Sequence, residues 1–428
     1  MPILRGMLPI VLSVAALLLV AVGILLVLFE PGLPYSVVGG SLPSDPGRAL
    51  DLVGVLVDSN VHASHSIEVL TNGDSFYAAE LEAISKARAS VHIEAFIFHR
   101  SSIADRFLAA LIDCARRGVH VRVVVDAIGS FPTPNSYFGE LRRAGGQVAW
   151  YQPIRWYTLK RFNNRSHREL VIVDGIVGFI GGAGISAHWS EPDDGHPPWR
   201  DTMVRVDGPV VAGLQTAFLE NWLEATGEIL TGSDSFPELE PPAAGAPGLV
   251  VVSAPSPARA SRARVLFQVL LASAREAVDI NSPYFLPDRS VRRELVAAAA
   301  RGVRVRVVVP GVHNNHPWAR RASRRTYGEL LSAGIEVYEY QPGMIHAKIM
   351  IVDALWSVVG STNFDSRSFE LNDEVNLAVV DQALAQRLGD DFLVDLHRSQ
   401  NVTLAVWNAR PWHERLLAYA GAAFERQE

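Results

Sequence analysis

Along the chain, short apolar runs of four to seven residues alternate with stretches whose apolar residues recur every three or four positions. Residues 78–89 carry the helical spacing, 91–98 alternate as a strand does, and 103–117 return to the helical period. Gly118 then stands where a helix stop is expected, and 119–125, Val-His-Val-Arg-Val-Val-Val, reads as a strand. The order continues with a helix, a strand, the apolar strand 170–173 and a long helix over 210–225. From residue 262 the pattern repeats: helix 262–275, strand 277–282, helix 289–301, strand 303–309, a helix through Leu331, strand 335–340 and the apolar strand 349–352. Such alternation predicts α/β sheets covered on both faces.

The recurrence extends to identity. Ala115-Arg-Arg-Gly118-Val-His-Val-Arg-Val-Val-Val125 returns as Ala299-Ala-Arg-Gly302-Val-Arg-Val-Arg-Val-Val-Val309, and Tyr151-Gln-Pro153 returns as Tyr340-Gln-Pro342. A period of about 180 residues is far beyond that of solenoid arrays and predicts two similar domains. The boundaries read as 67–232 and 249–428, joined by a Pro-, Ala- and acid-rich linker at 233–248. Residues 31–66, rich in Gly, Pro, Ser and Asp, read as a tether with little structure. Residues 8–29 form one uncharged apolar run, long enough to span a bilayer, within an anchor at 1–30. Arg5 before it and Glu30 after it place the N-terminus inside, and hence the domains on the outer face of a cell membrane. The absence of a small-residue cleavage pattern favours an uncleaved anchor.

Composition narrows the partners. The 428 residues are 49% hydrophobic, enough for two cores, and 39 basic against 45 acidic residues give a net charge of −6. That balance argues against a dedicated nucleic-acid binder, and the run Arg320, Arg321, Arg324, Arg325 reads as a solvated helix face or a headgroup contact. With Cys114 alone, no internal disulfide forms. No His/Cys cluster has metal-ligand spacing; His313 and His316 read as part of a polar loop near a substrate mouth.

Chemistry enters at the two apolar strands. His346-Ala-Lys348-Ile-Met-Ile-Val-Asp353 leads into Gly360-Ser361-Thr362-Asn363, and His167-Arg-Glu169-Leu-Val-Ile-Val-Asp174 leads into Gly181-Gly182-Ala183-Gly184 with the same spacing. On a strand His346 and Lys348 share a face, so a potential nucleophile sits beside a cation, which suits attack on a phosphodiester. Asp174 and Asp353 stand where caps of the turns after their strands are expected.

These paired motifs resemble those of the phospholipase D superfamily. Their surroundings, Leu70-Thr-Asn-Gly-Asp74-Ser-Phe-Tyr77, Trp199-Arg-Asp201, Asp207-Gly-Pro209, Asn281-Ser-Pro-Tyr-Phe-Leu-Pro287 and Leu371-Asn-Asp-Glu374, resemble its bacterial cardiolipin synthase branch, from residue 67 to the C-terminus. The resemblance implies two tandem α/β domains of phospholipase D type related by a pseudo-twofold duplication, following the transmembrane helix. It implies transfer of a phosphatidyl group through a phosphohistidine, with no metal or organic cofactor, on a phosphatidylglycerol-like substrate in a membrane. One histidine attacks and the other serves as acid then base; the first-motif His167 is the expected nucleophile. Lys348 and Asn363 would hold the phosphoryl oxygens, Ser361 would add a hydroxyl, and Asp174, Asp353 and Glu374 would orient histidines. The first motif departs from the family pattern, with Glu169 for lysine and Gly184 for asparagine. Glu169 would face the phosphate with a negative charge unless it is protonated, turned away or paired with Arg165 or Arg168. That departure leaves open a working transferase, a headgroup-reading role for Glu169, or a relative that binds phospholipid without turnover. Hydrolysis by a phospholipase D or nuclease is the remaining alternative.

Overall fold

The computed structural model describes residues 13–20, 35–156, 161, 163–193, 195–240, 242, 245–255 and 261–411. Among the described residues the chain builds two large mixed sheets, of seven and ten strands, that share a seven-strand order. In the first half the strand order is Ser66–Thr71, Thr202–Asp207, Val177–Gly181, Leu170–Val173, Ser90–Ala95, His120–Asp126, Gln147–Tyr151. In the second half the matching order is Pro247–Ser253, Asn372–Val380, Trp356–Gly360, Ile349–Val352, Ala277–Asn281, Arg304–Pro310, Glu336–Tyr340. The duplication seen in the sequence is therefore a duplication of topology, with three more strands in the second sheet: Val61–Ala63 and Ser399–Asn401 at its edges, and Arg165–Ser166 from the first half beside Asn372–Val380.

Local chemistry sets the elements. Ser90–Ala95 is buried along its whole length, as a central parallel strand must be. Helix Ser102–Arg116 starts where the Ser101 side chain accepts from the Ala104 amide, and it stops before Gly118, whose φ of 85° suits a residue without Cβ. Within each sheet, three parallel strands connect through helices, whereas Leu170–Val173 and Ile349–Val352 run antiparallel to their neighbours Ser90–Ala95 and Ala277–Asn281. This direction fixes the site. The residues just before each antiparallel strand, which include both motif histidines, lie at the carboxyl ends of the parallel strands, the edge where open α/β sheets bind ligands.

One core fills the outer side of each sheet, and a third lies between the halves. Helices Val211–Thr226 and Gln382–His397 contribute Leu214, Phe218 and Trp222, and Leu384, Leu388 and Phe392, to that shared core, which also takes in Val250, Ile349 and Val375 from the second sheet. The halves are thus joined by an apolar interior.

Of the expected tether 31–66, the described residues 35–66 are more ordered than expected. Pro46–Leu56 is a helix, N-capped by Asp45, whose carboxylate accepts from the Arg48 amide at 2.8 Å. Ala49, Leu50, Val53 and Val57 enter the core of the second domain, and Val61–Ala63 pairs with Pro247–Ser253. The apolar spacing was present, but the surrounding Gly and Pro masked it. The linker is also docked: the Asp234 carbonyl accepts from Ser90 Oγ, and its carboxylate meets His120 at 2.7 Å. Of the apolar run 8–29, residues 13–20 are helical with exposed side chains; the rest lies outside the described residues. Among the described residues no helix is long and apolar enough to cross a membrane.

Candidate active site

The two halves meet through a reciprocal backbone exchange. The His167 amide donates to the Asp373 carbonyl at 2.8 Å, and the His346 amide donates to the Arg200 carbonyl at 2.7 Å. The residues before them pair in parallel register, Ser166 with Asp373 and Ile345 with Arg200. Each histidine is therefore clamped beside the residue that follows its partner in the other half: His167 beside Glu374, and His346 beside Asp201. Sheet register shows these carboxylates to be equivalents, since Gly181 pairs with Met203 and Gly360 pairs with Asn376, each two residues beyond its carboxylate.

The two dyads differ in tightness. His346 Nδ1 lies 2.9 Å from Asp201 Oδ2, and Asp201 also accepts from Trp189 Nε1 at 3.0 Å and the Thr202 amide at 2.8 Å. Burial would push the Asp201 carboxyl up, but the His346 hydrogen bond and the charges of His346 and Lys348 hold it below its ordinary value. With Asp201 ionised, Nδ1 is the proton-bearing nitrogen and Nε2 keeps its lone pair. Burial, reinforced by the Lys348 ammonium, brings His346 down to about 4, so its ring is neutral at pH 7. Trp189 and Trp199 flank this ring, with centroids at 5.5 and 5.3 Å. Lys348 Nζ sits 3.0–3.2 Å from the ring nitrogens and donates to the His346 carbonyl at 2.8 Å. Burial brings Lys348 down to about 8, against the opposing pull of Asp201, Glu374 and Glu169. His167 is looser: its Nδ1 is 3.4 Å from Glu374 Oε1, its side chain is 17% exposed, and it tilts against Phe96 at 4.5 Å.

Both histidines, Glu169, Lys348 and Asn363 line one cavity of about 360 Å³. Asn363 is buried there, and its Oδ1 has no hydrogen-bond partner among the described residues. Ser361 is placed differently from the expectation of a substrate-facing hydroxyl. Its Oγ–H donates to Glu374 Oε2 and its oxygen accepts from the Val375 amide, so it fixes the carboxylate that faces His167.

Asp174 and Asp353 are not brought to the histidines. Each follows its four-residue strand, itself about 13 Å long, and so lies at the opposite edge of the sheet. Their φ angles are 54° and 53°. Asp174 accepts from the amides of Arg88, Ala89 and Ser90, and Asp353 from those of Arg275, Glu276 and Ala277. Of the two readings open in the sequence, the geometry matches the turn cap, in which a carboxylate gathers three amides at the start of a neighbouring strand.

Glu169 faces the cavity, buried, with Oε1 accepting from the Ile97 amide at 3.2 Å. Burial drives its carboxyl well above the ordinary range, toward the neutral acid. Neither candidate arginine pairs with it: Arg165 engages Asp126, and Arg168 engages Glu220 and Asp373. A Cβ on Gly184 would come within 2.8 Å of Glu169 Oε1 and 2.5 Å of the Ile97 carbonyl. The two departures in the first motif are thus one packing unit. The glutamate takes the space that a side chain at 184 would need.

Sequence reasoning missed Asp201 as a site residue. Its equivalence to Glu374 is hidden because it lies seventeen residues after Gly184, whereas Glu374 lies eleven after Asn363. The extra residues form the loop that carries Trp189 and Trp199. The arginine run is not a free basic face either, since Arg320 and Arg324 both pair with Glu339. Asn315 and His316 do line the cavity mouth, whereas His313 packs on His196 at 3.7 Å. Among the described residues no group of three or more His, Cys, Asp or Glu could hold a metal ion.

Comparison with known proteins gives a consistent picture. The family described as "Cardiolipin synthase, PLD-like domain" matches residues 81–192 and 268–396. Cardiolipin synthase of Alkalihalophilus pseudofirmus is 35% identical over 358 residues, covering 83% of this chain and 70% of that protein. Cardiolipin synthase 2 of Bacillus anthracis is 33% identical over 371 residues, covering 86% and 71%. Among solved structures, phosphatidylserine synthase of Haemophilus influenzae shares the fold, with a TM-score of 0.69 at 16% identity over 89% of this chain and all of that one.

Proposed function

The chain belongs to the cardiolipin synthase, phospholipase D-like family, and from that premise we propose that it is a membrane-anchored phosphatidyltransferase that joins two phospholipids into a cardiolipin. The observation that carries this reading is the pair of crossed carboxylate–histidine dyads around one cavity.

Nε2 of His346 attacks the phosphorus of a phosphatidylglycerol-like donor. The N–P bond forms, the P–O bond to the glycerol headgroup breaks, and His167 gives its proton to the departing oxygen. The hydroxyl of a second phospholipid then returns a proton to His167, attacks phosphorus and frees His346. Lys348 and the Asn363 amide hold the non-bridging oxygens. Glu169, as a neutral acid, donates an O–H to a phosphoryl or headgroup oxygen rather than repelling it.

Assigning the attack to His346 reverses the expectation drawn from the resemblance. Its support is that an attacking nitrogen must be unprotonated, and the His346 ring is held neutral with its lone pair on Nε2. His167, more open to solvent, is placed to exchange protons with the alcohols. The run 8–29 would act as a single-pass anchor with the domains on the outer face.

Purified full-length protein given phosphatidylglycerol vesicles should release glycerol and form cardiolipin, and His346→Ala should form neither. Phosphatidic acid as the sole product would make the enzyme a hydrolase; no product would leave a lipid-binding protein. A phosphoryl adduct should accumulate in His167→Ala and be missing in His346→Ala, and the opposite pattern would restore His167 as nucleophile.

A further inference from the structure

The cavity opens among the loops that follow the parallel strands, and these loops carry large apolar side chains into solvent. After His120–Asp126 come Ile128, which lines the cavity, and Phe131, 82% exposed. After Gln147–Tyr151 come Ile154 and Trp156, 60% and 84% exposed, and after Arg304–Pro310 comes Val312 at 63%. Phe131 and Trp156 are the most exposed phenylalanine and tryptophan side chains among the described residues. Scattered exposed apolar residues are ordinary, but bulky ones from three loops of two domains gathered around one opening mark an interaction surface.

A second observation says what covers it. Tyr35 is fixed to the same edge of the molecule. Its amide donates to Ser290 Oγ at 3.0 Å, its carbonyl accepts from Arg293 at 3.2 Å, and its ring lies under the Arg264 guanidinium at 4.8 Å. Ser290 and Arg264 stand in the first turns of Arg289–Ala300 and Arg262–Ser273, the helices that run back from the carboxyl-end side of the second sheet. The uncharged apolar run 8–29 ends six residues before Tyr35, a reach of at most about 20 Å. A segment long enough to span a bilayer therefore joins the body at the edge where the cavity opens, not at the opposite edge where Asp174 and Asp353 cap their turns.

We propose that the loops 127–131, 152–156 and 311–312 form a membrane-docking rim, with Phe131, Trp156, Ile154 and Val312 seated in the headgroup–acyl boundary of a phospholipid bilayer, so that the cavity mouth faces the lipid surface. Tryptophan and phenylalanine suit this depth because their broad apolar faces leave water while the flanking backbone stays at the polar layer. A lipid headgroup could then reach His167 and His346 while its acyl chains remain in the bilayer. The inference takes its surface from the phospholipid reading, but it concerns orientation and does not depend on turnover.

The test uses the full chain in phosphatidylglycerol vesicles, with a bimane label at Phe131→Cys, at Val312→Cys and, as a control on the opposite edge, at Ile176→Cys. The native Cys114 is buried, out of the label's reach. Vesicles whose lipids carry a nitroxide on the acyl chain should quench the labels at 131 and 312, with a blue-shifted emission, and leave 176 bright and water-like. A quenched 176, or labels at 131 and 312 as water-exposed as 176, overturns the proposal. On the unlabelled chain, amide exchange of residues 127–131 and 311–312 should be slower in nanodiscs than after the bilayer is removed with a short-chain detergent; no change there refutes it as well. Quenching in a preparation that forms no cardiolipin would uphold the docking rim while sinking the transferase reading, so the two failures are distinguishable.

Discussion

Asp201→Asn is the most direct test of the crossed-dyad geometry. The change is nearly isosteric, but an amide has one acceptor oxygen where Thr202 uses Oδ1 and Trp189 and His346 use Oδ2, and it removes the charge that His346 Nδ1–H meets at 2.9 Å. Hydrogen bonds to a charged group are worth about 1.5–3 kcal/mol, more than neutral ones. If that whole energy is lost when His346 gains positive character during attack, kcat falls roughly 10- to 150-fold, at about 1.36 kcal/mol per tenfold. A second effect separates an electrostatic role from a packing one. Asp201 is the foremost charge opposing the burial that brings Lys348 down to about 8. Without it the lysine loses its proton at lower pH, so the alkaline limb of the rate profile moves toward neutrality. Glycerol release from phosphatidylglycerol vesicles, followed from pH 6 to 9 for wild type and Asp201→Asn, reads both quantities. A folded Asp201→Asn enzyme with wild-type kcat and an unmoved alkaline limb would refute the reasoning. Glu374→Gln should be milder, because its contact with His167 is 3.4 Å and Ser361 still anchors the side chain.

Asp174→Ala should lower stability by roughly 2–3 kcal/mol, since three backbone amides lose a charged acceptor. Its kcat should survive; a large kcat loss at normal Tm would restore a catalytic role. Glu169→Gln keeps a neutral side chain in the same space, so activity near pH 7 should stay within about threefold, whereas Gly184→Asn should abolish soluble or active protein because its Cβ meets Ile97 and Glu169. A large rate gain in Glu169→Gln would mean that the glutamate is ionised in the wild type. His92, buried, stacked on Phe218 and held at about 4 by burial, takes up its proton only after the unfolded chain has done so near 6.5. Its folded pKa is the lower one, so its contribution is intact above pH 6.5 and is lost as pH falls toward 4, by about 3 kcal/mol. Thermal melts across that window should show the loss, with a shallower slope in His92→Gln; an equal slope would assign the acid sensitivity elsewhere.

Periodicity and internal repetition made much of this protein legible before any coordinates. The duplicated Val-rich strands and their glycine stops announce two like α/β sheets because burial on both faces demands continuous apolar runs. The spacing of His346 and Lys348 announces a shared face because a strand alternates every residue. Local pattern also misled: the Gly- and Pro-rich context of residues 46–56 concealed a helix whose apolar stripe finds its partner only in the second domain. What tertiary structure alone decided was which groups meet. The sequence offered Asp174 and Asp353 as partners for the histidines, but a strand carries them to the far edge, where they cap turns. The histidines meet Glu374, which the resemblance had implied, and Asp201, which it had not, and each arrives from the opposite half through backbone pairing between domains. No spacing along one chain segment encodes such a contact. Likewise the sequence left open whether Glu169 meets phosphate as a charge, protonated, turned away or paired with an arginine, and only the closed packing around Gly184, which strips it of water, pushes its carboxyl well above the ordinary range. Sequence fixes the periods and the residue types; the distances and the dielectric that set their chemistry exist only once the two halves have closed on each other.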